Sequence, residues 1–394
     1  MRLFRHLFSP CCLALMGECF MLRPKGVGVS SQGCRTSPRI QVRMSHGDRP
    51  PPLTPLMEEE INQISESAAQ QMIRDMRCFR VSVSREIHED GFIQVCAVKK
   101  TPEDVEETAE TRRRGRRVQN PILLLHGFDS SLLDFRRLVS ALAERGAEVY
   151  AVDLLGWGLT QTEGVKSLSP HAKREVLKAF QMEIAGERPM HIFGSSLGGT
   201  ATIDFSSEHP EAVASLILAA PQGFVDGLGL LTMAPKFLKR LGISILKSWW
   251  LREFACKLSY FDKDRCATED AVRLGRLHTL REGWEDAQIL FQESGGYSVS
   301  SKLQMVRDLR SLVLWGEGDE ILPPKENAQK LTDAIEADRL VMVEKCGHVP
   351  HLERPELTAD LIVDWALECE EKEGRGNTER GGSGRTELQN VTMN

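Results

Sequence analysis

The chain has 394 residues, of which 41% are hydrophobic and 27% are charged, and its formal net charge is −6. These proportions are ordinary for a globular protein, and the length allows one large domain with appendages. The negative charge gives no reason to expect a nucleic-acid partner. No run of roughly 18 or more apolar residues exists that could span a membrane.

Residues 1–50 differ in composition from the rest of the chain. They contain eight Arg or Lys residues and only two acidic residues, Glu18 and Asp48, with scattered Ser and Cys. This composition is typical of an organelle transit peptide, and we expect a plastid destination, with a mitochondrion as the alternative. A secretory signal ranks third, because the short apolar stretch at residues 7–17 is interrupted by Pro10.

The middle of the chain alternates between apolar strand patterns and helical patterns. Residues 50–55 predict a linker and residues 57–77 a polar helix, and a charged loop is expected at 99–120. Residues 79–83 and 92–98 predict a hairpin, and further strands are expected near 121–125, 148–153, 190–194, 215–220, 311–315 and 339–343. Strands separated by helices predict an α/β fold with a mostly parallel central sheet and helices on both faces.

A serine bracketed by glycines lies between one of these strands and the next helix. Residues 194–199 read GSSLGG, and G-x-S-x-G at a strand-to-helix turn exposes a serine nucleophile. Gly194 and Gly198 bracket Ser196, whereas Ser195 has no glycine two residues before it, so Ser196 is the candidate nucleophile. Because roughly one chain in five of this length would contain the pattern by chance, the assignment depends on partners elsewhere in the sequence.

Two later strands lead into residues that could activate this serine. Residues 311–315 precede Asp319, and residues 340–343 precede His348. The chain order Ser196, Asp319, His348 differs from the orders of chymotrypsin and subtilisin. Glu317 and Glu320 are alternative carboxylates. The rival location for the acid, directly after residues 215–220, offers only Pro221 and Gln222, which favours Asp319.

The remaining polar residues near strand ends have other predicted roles. The strand at 121–125 ends in a tight turn, and we expect the backbone N–H groups of Phe128 and Leu197 to bind an oxyanion. His126 is predicted to order this turn and not to act as a base. His351 is expected to pack beside the site, and Asp153 is expected to fix a loop.

The motifs together resemble the α/β-hydrolase superfamily, over about residues 78–370. The resemblance lies in its single-domain branch of esterases, C–C bond hydrolases, haloperoxidase-like enzymes and dehalogenases. It implies a serine hydrolase with a Ser-His-Asp triad and no metal or organic cofactor. The implied substrate is of ester type: a carboxylic ester, with a lipid or a thioester also open. The stretches HGFDSS (126–131), GRLH (275–278) and GGYSVSS (295–301) are similar to a plastid-type group of plant and algal α/β-hydrolases.

Two alternatives to an esterase stay open at this point. One is a C–C bond hydrolase of the ring-cleavage type, although those enzymes often have Trp where Val349 follows His348 in this chain. The other is a ligand sensor that keeps the triad on a hydrolase fold without turning its ligand over. The sequence does not indicate an oligomeric state.

The predicted fold and its appendages divide the chain into six segments. They are a transit peptide (1–50), a linker with an N-terminal helix (51–77), the first part of the core (78–221), a helical lid (222–305), the second part of the core (306–370) and a disordered tail (371–394). Within the lid, residues 236–257 contain six basic residues and one acid, Glu253, together with several aromatic residues. The lid is expected to pack on the core over an apolar ester or lipid substrate, with peripheral membrane contact as the alternative.

The cysteines show no spacing typical of a metal site or a redox motif. Of ten cysteines, four lie within the first 34 residues. The other six, which contain no C-x-x-C pair, are predicted to be reduced and packed: Cys78, Cys96, Cys256, Cys266, Cys346 and Cys369.

Overall fold

The computed structural model of the protein describes residues 53–105, 116–229, 235–375 and 387–391. The predicted transit peptide lies outside the described residues. The described chain contains a nine-stranded sheet. Its strands are β1 (Arg77–Ser82), β2 (Phe92–Lys100), β3 (Ile122–Leu125), β4 (Val149–Val152), β5 (Met190–Ser195), β6 (Val213–Ala219), β7 (Ser311–Gly316), β8 (Arg339–Val343) and β9 (Glu387–Val391).

The sheet is mostly parallel, as predicted. Its strand order is β1-β2-β4-β3-β5-β6-β7-β8-β9. The β1–β2 and β2–β4 pairs are antiparallel, and all the other pairs are parallel. Because parallel strands end at the same edge, the loops after β3, β5, β7 and β8 meet there, which is where ligands bind in open α/β sheets.

Helices cover both faces of the sheet and bury the strands completely at its centre. Successive residues of β5 point to opposite sides, so Ile192 joins one hydrophobic core and Phe193 the other. The helices outside the lid are α1 (Pro55–Gln63), α2 (Ser67–Asp75), α3 (Leu138–Glu144), α4 (Pro170–Glu183), α5 (Leu197–Glu208), α11 (Pro324–Ile335), α12 (Pro350–Glu353) and α13 (Pro355–Arg375). No helix in these described ranges is both long and apolar enough to cross a bilayer.

The segment between β6 and β7 is a helical insertion, at the position predicted for the lid. We keep the name lid for residues 222–305. Its helices are α6 (Lys236–Leu246), α7 (Trp249–Ser259), α8 (Lys263–Cys266), α9 (Glu269–Arg276) and α10 (Trp284–Glu293), with short 3-10 turns between and after them.

The predicted single helix at 57–77 is instead two helices, α1 and α2, separated at residues 64–66. Ile64 adopts an extended backbone that ends α1. The N–H groups of Ser65 and Glu66 donate to the carboxylate of Asp270 in the lid, at 2.8 and 2.7 Å. These tertiary hydrogen bonds replace the bonds that a continuous helix would have made, so the break depends on a residue two hundred positions away.

The prediction that all the later cysteines are reduced is wrong for one pair. Cys78 in β1 and Cys96 in β2 form a disulfide. The register of the hairpin places the two residues directly opposite each other, and this register is not visible in their spacing along the sequence. The other four cysteines of the described chain are free.

The prediction of disorder from residue 371 is wrong for two stretches. Helix α13 continues to Arg375, and residues 387–391 form strand β9, which pairs in parallel with β8. The prediction of disorder rested on the charged and glycine-rich composition of this stretch. Composition does not show that β8 has a free edge, where its backbone N–H and C=O groups can pair with another strand.

Candidate active site

Ser196 lies in the sharp turn between β5 and α5. It has a positive φ of 52° with ψ of −118°, a conformation that costs a non-glycine residue roughly 1–3 kcal/mol. The surrounding structure holds it there, since its N–H donates to the carbonyl oxygen of Ala219 in β6 at 2.9 Å. Ser195, the rejected neighbour, is buried within β5.

The two glycines of the motif are required by close packing at this turn. A Cβ at Gly198 would overlap the carbonyl oxygen of Leu125, at the end of β3. A Cβ at Gly194 would overlap the backbone of Gly198 and the hydroxyl of Thr202 in α5. Only glycine therefore lets α5 begin directly above β3 and β5, which places Ser196 at the carboxyl edge of the sheet.

His348 and Asp319 form a hydrogen-bonded pair at the ends of the loops that follow β8 and β7. The distance from His348 Nδ1 to Asp319 Oδ2 is 2.7 Å. The other oxygen of Asp319 accepts the N–H groups of Ile321 and Leu322, both at 2.8 Å. Since a carboxylate only accepts hydrogen bonds, Nδ1 carries the proton and Nε2 is left as the basic nitrogen.

The two rival carboxylates do not reach the histidine. Glu317 is exposed to solvent, and Glu320 is exposed and pairs with Lys263 at 2.8 Å. Asp319 is buried between them. The three acids of this turn therefore differ in their surroundings: Glu317 and Glu320 face solvent, and of the three only Asp319 faces His348.

Ser196 and His348 line the same cavity, of about 220 Å³. Phe128 lines it too, in the turn after β3. The wall is largely apolar, and its aliphatic members include Leu246, Ala255, Leu258, Val272, Ile321 and Leu352.

The two amides predicted to bind an oxyanion are both available for a new hydrogen bond. Leu197 is the first residue of α5, and the first N–H groups of a helix have no acceptor within it. In the described ranges, the N–H of Phe128 has no acceptor either. The ring of Phe128 packs against Trp157 and Phe291, with centroids 5.8 and 6.2 Å away, which fixes the turn.

His126 orders the turn that contains Phe128. It is fully buried, and its Nε2 accepts the N–H of Leu154 at 3.1 Å while Nδ1 lies 2.9 Å from the carbonyl oxygen of Gly127. Burial lowers the pKa of His126 to about 3. The ring is therefore neutral, and both of its nitrogens are occupied by backbone groups.

Two further residues match their predicted supporting roles. The carboxyl group of Asp153 accepts the N–H groups of Leu132 and Leu159, at 2.6 and 2.7 Å, and so joins two loops at the edge of the sheet. Burial raises its pKa to about 7. His351 is buried against the ring of Phe135, with centroids 5.2 Å apart, and burial lowers its pKa to about 3.

Asp129 connects the turn of Phe128 to the lid, and the sequence patterns did not reveal this role. Its carboxylate pairs with Arg252 of α7 and accepts hydrogen bonds from His278 Nε2 at 2.8 Å and Trp284 Nε1 at 3.1 Å. Burial alone would raise the pKa of Asp129, but Arg252 and His278 outweigh it and lower the pKa. The carboxylate therefore stays ionised under the lid.

Glu353 connects the loop of His348 to the lid in a similar way. Its buried carboxylate accepts the N–H groups of Gly347 at 2.7 Å, Phe261 at 3.2 Å and Asp262 at 2.7 Å. The N–H of His348 also donates to the carbonyl oxygen of Ser259, at the end of α7, at 2.8 Å. Helix α7 is thus attached both to the histidine loop and, through Arg252, to the turn of Phe128.

The other arginines of the lid do not face the cavity. Arg273 and Arg276 both pair with Glu60 of α1, at 2.6 and 2.5 Å. Arg281 pairs with Glu163 at 2.8 Å. Among the described residues, no group of three or more His, Cys, Asp or Glu side chains is arranged to hold a metal ion.

Comparisons with known proteins show the family to which the chain is similar. Residues 122–361 match the model of the alpha/beta hydrolase family. The chain is similar to the alpha/beta hydrolase domain-containing protein VTE7 of Arabidopsis thaliana, at 36% identity over 249 residues, which cover 63% of this chain and 74% of the relative. It is 27% identical to lipase 1 of Psychrobacter immobilis, over 61% of this chain and 74% of the lipase.

A solved structure with the same fold is that of a thermophilic esterase from Thermogutta terrifontis. It superimposes with a TM-score of 0.58 at 19% sequence identity, and the match covers 74% of this chain and 98% of the esterase. The likeness supports the fold described above.

Proposed function

Because the chain belongs to the α/β-hydrolase family, we propose that it is a serine hydrolase of carboxylic esters in which Ser196, His348 and Asp319 form the catalytic triad. The observation that carries the proposal is the shared cavity. A serine held at positive φ and a histidine already bonded to a buried carboxylate both line it.

The proposed reaction proceeds through an acyl-enzyme intermediate. His348 Nε2 removes the proton from Ser196 Oγ as the oxygen attacks the ester carbonyl, and Asp319 stabilises the resulting imidazolium. The N–H groups of Leu197 and Phe128 bind the oxyanion, and loss of one such donor typically costs about 3–4 kcal/mol. The protonated histidine gives its proton to the departing alcohol, and a water molecule then releases the acid by the same steps.

The proposed substrate is an apolar ester or a lipid. Most of the exposed cavity surface is apolar, although the ion-paired arginines Arg136 and Arg252 also line it, and an apolar pocket gains about 0.8 kcal/mol for each buried methylene. Along a series of p-nitrophenyl esters from acetate to octanoate, kcat/KM should therefore rise. A flat or falling series, with fast cleavage of a ring-cleavage dienoate, would favour the C–C bond hydrolase instead.

The nucleophile is tested with an active-site-directed probe. A fluorophosphonate should label the wild-type protein and Ser195→Ala, and it should not label Ser196→Ala. Ser195 is the matched control because it is adjacent in the motif but buried inside β5. Labelling of Ser196→Ala at the wild-type rate would refute the triad. Labelling without turnover of any ester in a metabolite extract would favour the ligand sensor.

A plastid is the proposed location, with a mitochondrion as the alternative. Kinship with a plant protein and the basic, acid-poor composition of residues 1–50 support this proposal.

A further inference from the structure

Exposed apolar side chains are concentrated in the lid. Eight large hydrophobic residues are exposed in the described chain, and five of them lie between residues 237 and 261. Those five are Phe237 (70% exposed), Leu238 (48%), Leu241 (61%), Trp250 (50%) and Phe261 (52%). Three of the five, Phe237, Leu238 and Leu241, lie on the single helix α6, and an exposed apolar group of this kind marks a surface that meets another apolar phase.

Helix α6 is apolar on two sides, of which only one is used within the protein. Its inner side packs through Ile243 against Trp284 and Ile289, in a small core of its own. Its outer side carries Phe237 and Leu241, one helical turn apart, with Leu238 beside them. We call Phe237, Leu238 and Leu241 the outer face of α6.

Exposed basic side chains lie beside this face. Residues 236–257 contain six basic residues and one acid, but Lys239 is buried and Arg252 pairs with Asp129 beneath the lid, so these two add no charge to the surface. On α6 itself, the side chains of Lys236 and Arg240 are 75% and 61% exposed. They pair with Glu293 at 3.6 Å and Asp286 at 2.9 Å, and surface pairs of this kind are weak enough to exchange partners.

Basic residues beside exposed aromatic and aliphatic ones fit the surface of an anionic lipid bilayer. The apolar side chains enter the boundary between headgroups and acyl chains, and the long basic side chains reach the phosphates. A second protein would need a larger contact, because stable interfaces bury about 800 Å² on each partner and the outer face has three large side chains. Nucleic acid would neutralise the charge but would leave these side chains in water.

We propose that α6 docks the protein on an anionic lipid bilayer through its outer face. The same helix reaches the cavity, since Leu246 at its C-terminal end is part of the wall. Docking through α6 therefore brings the cavity close to the lipid phase, from which an apolar substrate could enter. The proposal concerns a surface apart from the triad, so it does not depend on the chemistry proposed above.

The proposal is tested by vesicle flotation of the full chain carrying Ser196→Ala, which prevents lipid hydrolysis. The protein should float with vesicles of phosphatidylcholine mixed with phosphatidylglycerol, and less with pure phosphatidylcholine. Adding Phe237→Ser and Leu241→Ser should lower the bound fraction at least about tenfold, because each substitution removes an apolar side chain from the bilayer. Residues 1–50 are common to all the variants, so the difference reports on α6 alone.

Leu56→Ser with Met182→Ser is the matched control. Both residues are exposed, at 59% and 45%, and both lie outside the lid, so this variant should float like its parent. With Ser196 restored, the α6 variant should hydrolyse soluble p-nitrophenyl acetate at the wild-type rate, which separates docking from catalysis. Undiminished flotation of the α6 variant would overturn the proposal. So would an oligomer that is present without lipid and that the two α6 substitutions disperse.

Discussion

At the scale of single residues, the acid of the proposed triad is the sharpest point to test. Asp319 is the carboxylate that contacts His348, whereas Glu317 and Glu320 are exposed. Asp319→Asn should lower kcat by about 10⁴-fold, because the amide no longer fixes the imidazole tautomer or stabilises its charged form. Glu317→Gln and Glu320→Gln should each stay close to the wild-type kcat. A crippling effect of Glu317→Gln would mean that the acid has been misassigned.

The residues of the sharp turn between β5 and α5 were predictable because their signal is local, but the residues that support the site were not. Ser196 and its two glycines are specified by one tight turn, which the sequence records directly. The partners of Asp129, which are Arg252, His278 and Trp284, are more than a hundred residues away. Neither the hydrophobic periodicity nor the spacing of motifs in the sequence predicts such contacts, because they depend on how the lid packs over the core.

Lys173 should make the stability of the protein depend on pH. It is buried in α4, where its Nζ donates to the carbonyl oxygen of Leu155 and lies 4.0 Å from the ring of Trp157. Burial lowers its pKa from 10.5 to about 7. Between these two values the unfolded chain binds a proton that the folded chain does not, so the contribution of Lys173 to the free energy of unfolding rises with pH.

The comparison of wild type with Lys173→Met isolates this effect. Methionine fills a similar volume without a charge to bury, so the variant should gain most in Tm near pH 7, and its advantage should shrink towards pH 10. Thermal melts at several pH values measure the difference. A difference in Tm that stays constant from pH 7 to pH 10 would show that Lys173 titrates normally in the folded protein.

At the scale of elements, helix α7 is attached to both sides of the candidate site. Its Arg252 holds Asp129, next to the amide of Phe128 that we propose binds the oxyanion, and Ser259 at its end holds the N–H of His348. Asp129→Asn leaves the partly buried guanidinium of Arg252 without its counter-ion and should loosen the turn. We expect kcat to fall up to about 10²-fold with KM little changed, because a small displacement of a catalytic group has effects of this size.

Glu60→Gln is the control for this prediction. Glu60 joins the same lid to α1 through Arg273 and Arg276, and it has no contact with the turn of Phe128. The control should lose thermal stability without losing kcat. If Asp129→Asn also lost only stability, the contact would hold the fold together without positioning the oxyanion amide.

The strands were predictable where a short, continuous run of apolar residues marks a buried strand. The apolar run predicted at 190–194 is β5 (Met190–Ser195), and the run at 339–343 is β8 (Arg339–Val343). The break between α1 and α2 was not predictable, because Asp270 of the lid supplies the acceptor that ends the first helix. The disulfide between Cys78 and Cys96 was not predictable either. It depends on the register of the β1–β2 hairpin, and that register cannot be derived from the spacing of the two cysteines.

At the scale of the whole molecule, we predict that the N-terminal boundary of the folded unit lies between residues 50 and 55. Helices α1 and α2 add Met57, Ile61 and Met72 to one of the two hydrophobic cores. The side chain of Glu66 also binds Arg136 and Arg137, at 2.8 and 2.6 Å. These helices therefore belong to the hydrolase core, although their composition is polar.

Deletion experiments should find the same boundary and show what the preceding residues do. Removal of residues 1–50 should leave Tm and ester hydrolysis unchanged, whereas removal of residues 1–76 should lower Tm sharply, because it strips apolar side chains from the core. Residues 1–50 fused to a fluorescent protein should enter the plastid of a plant cell, since they are basic and nearly free of acids. Fluorescence confined to the cytosol or secreted from the cell would contradict the transit peptide, and mitochondrial fluorescence would select the alternative organelle.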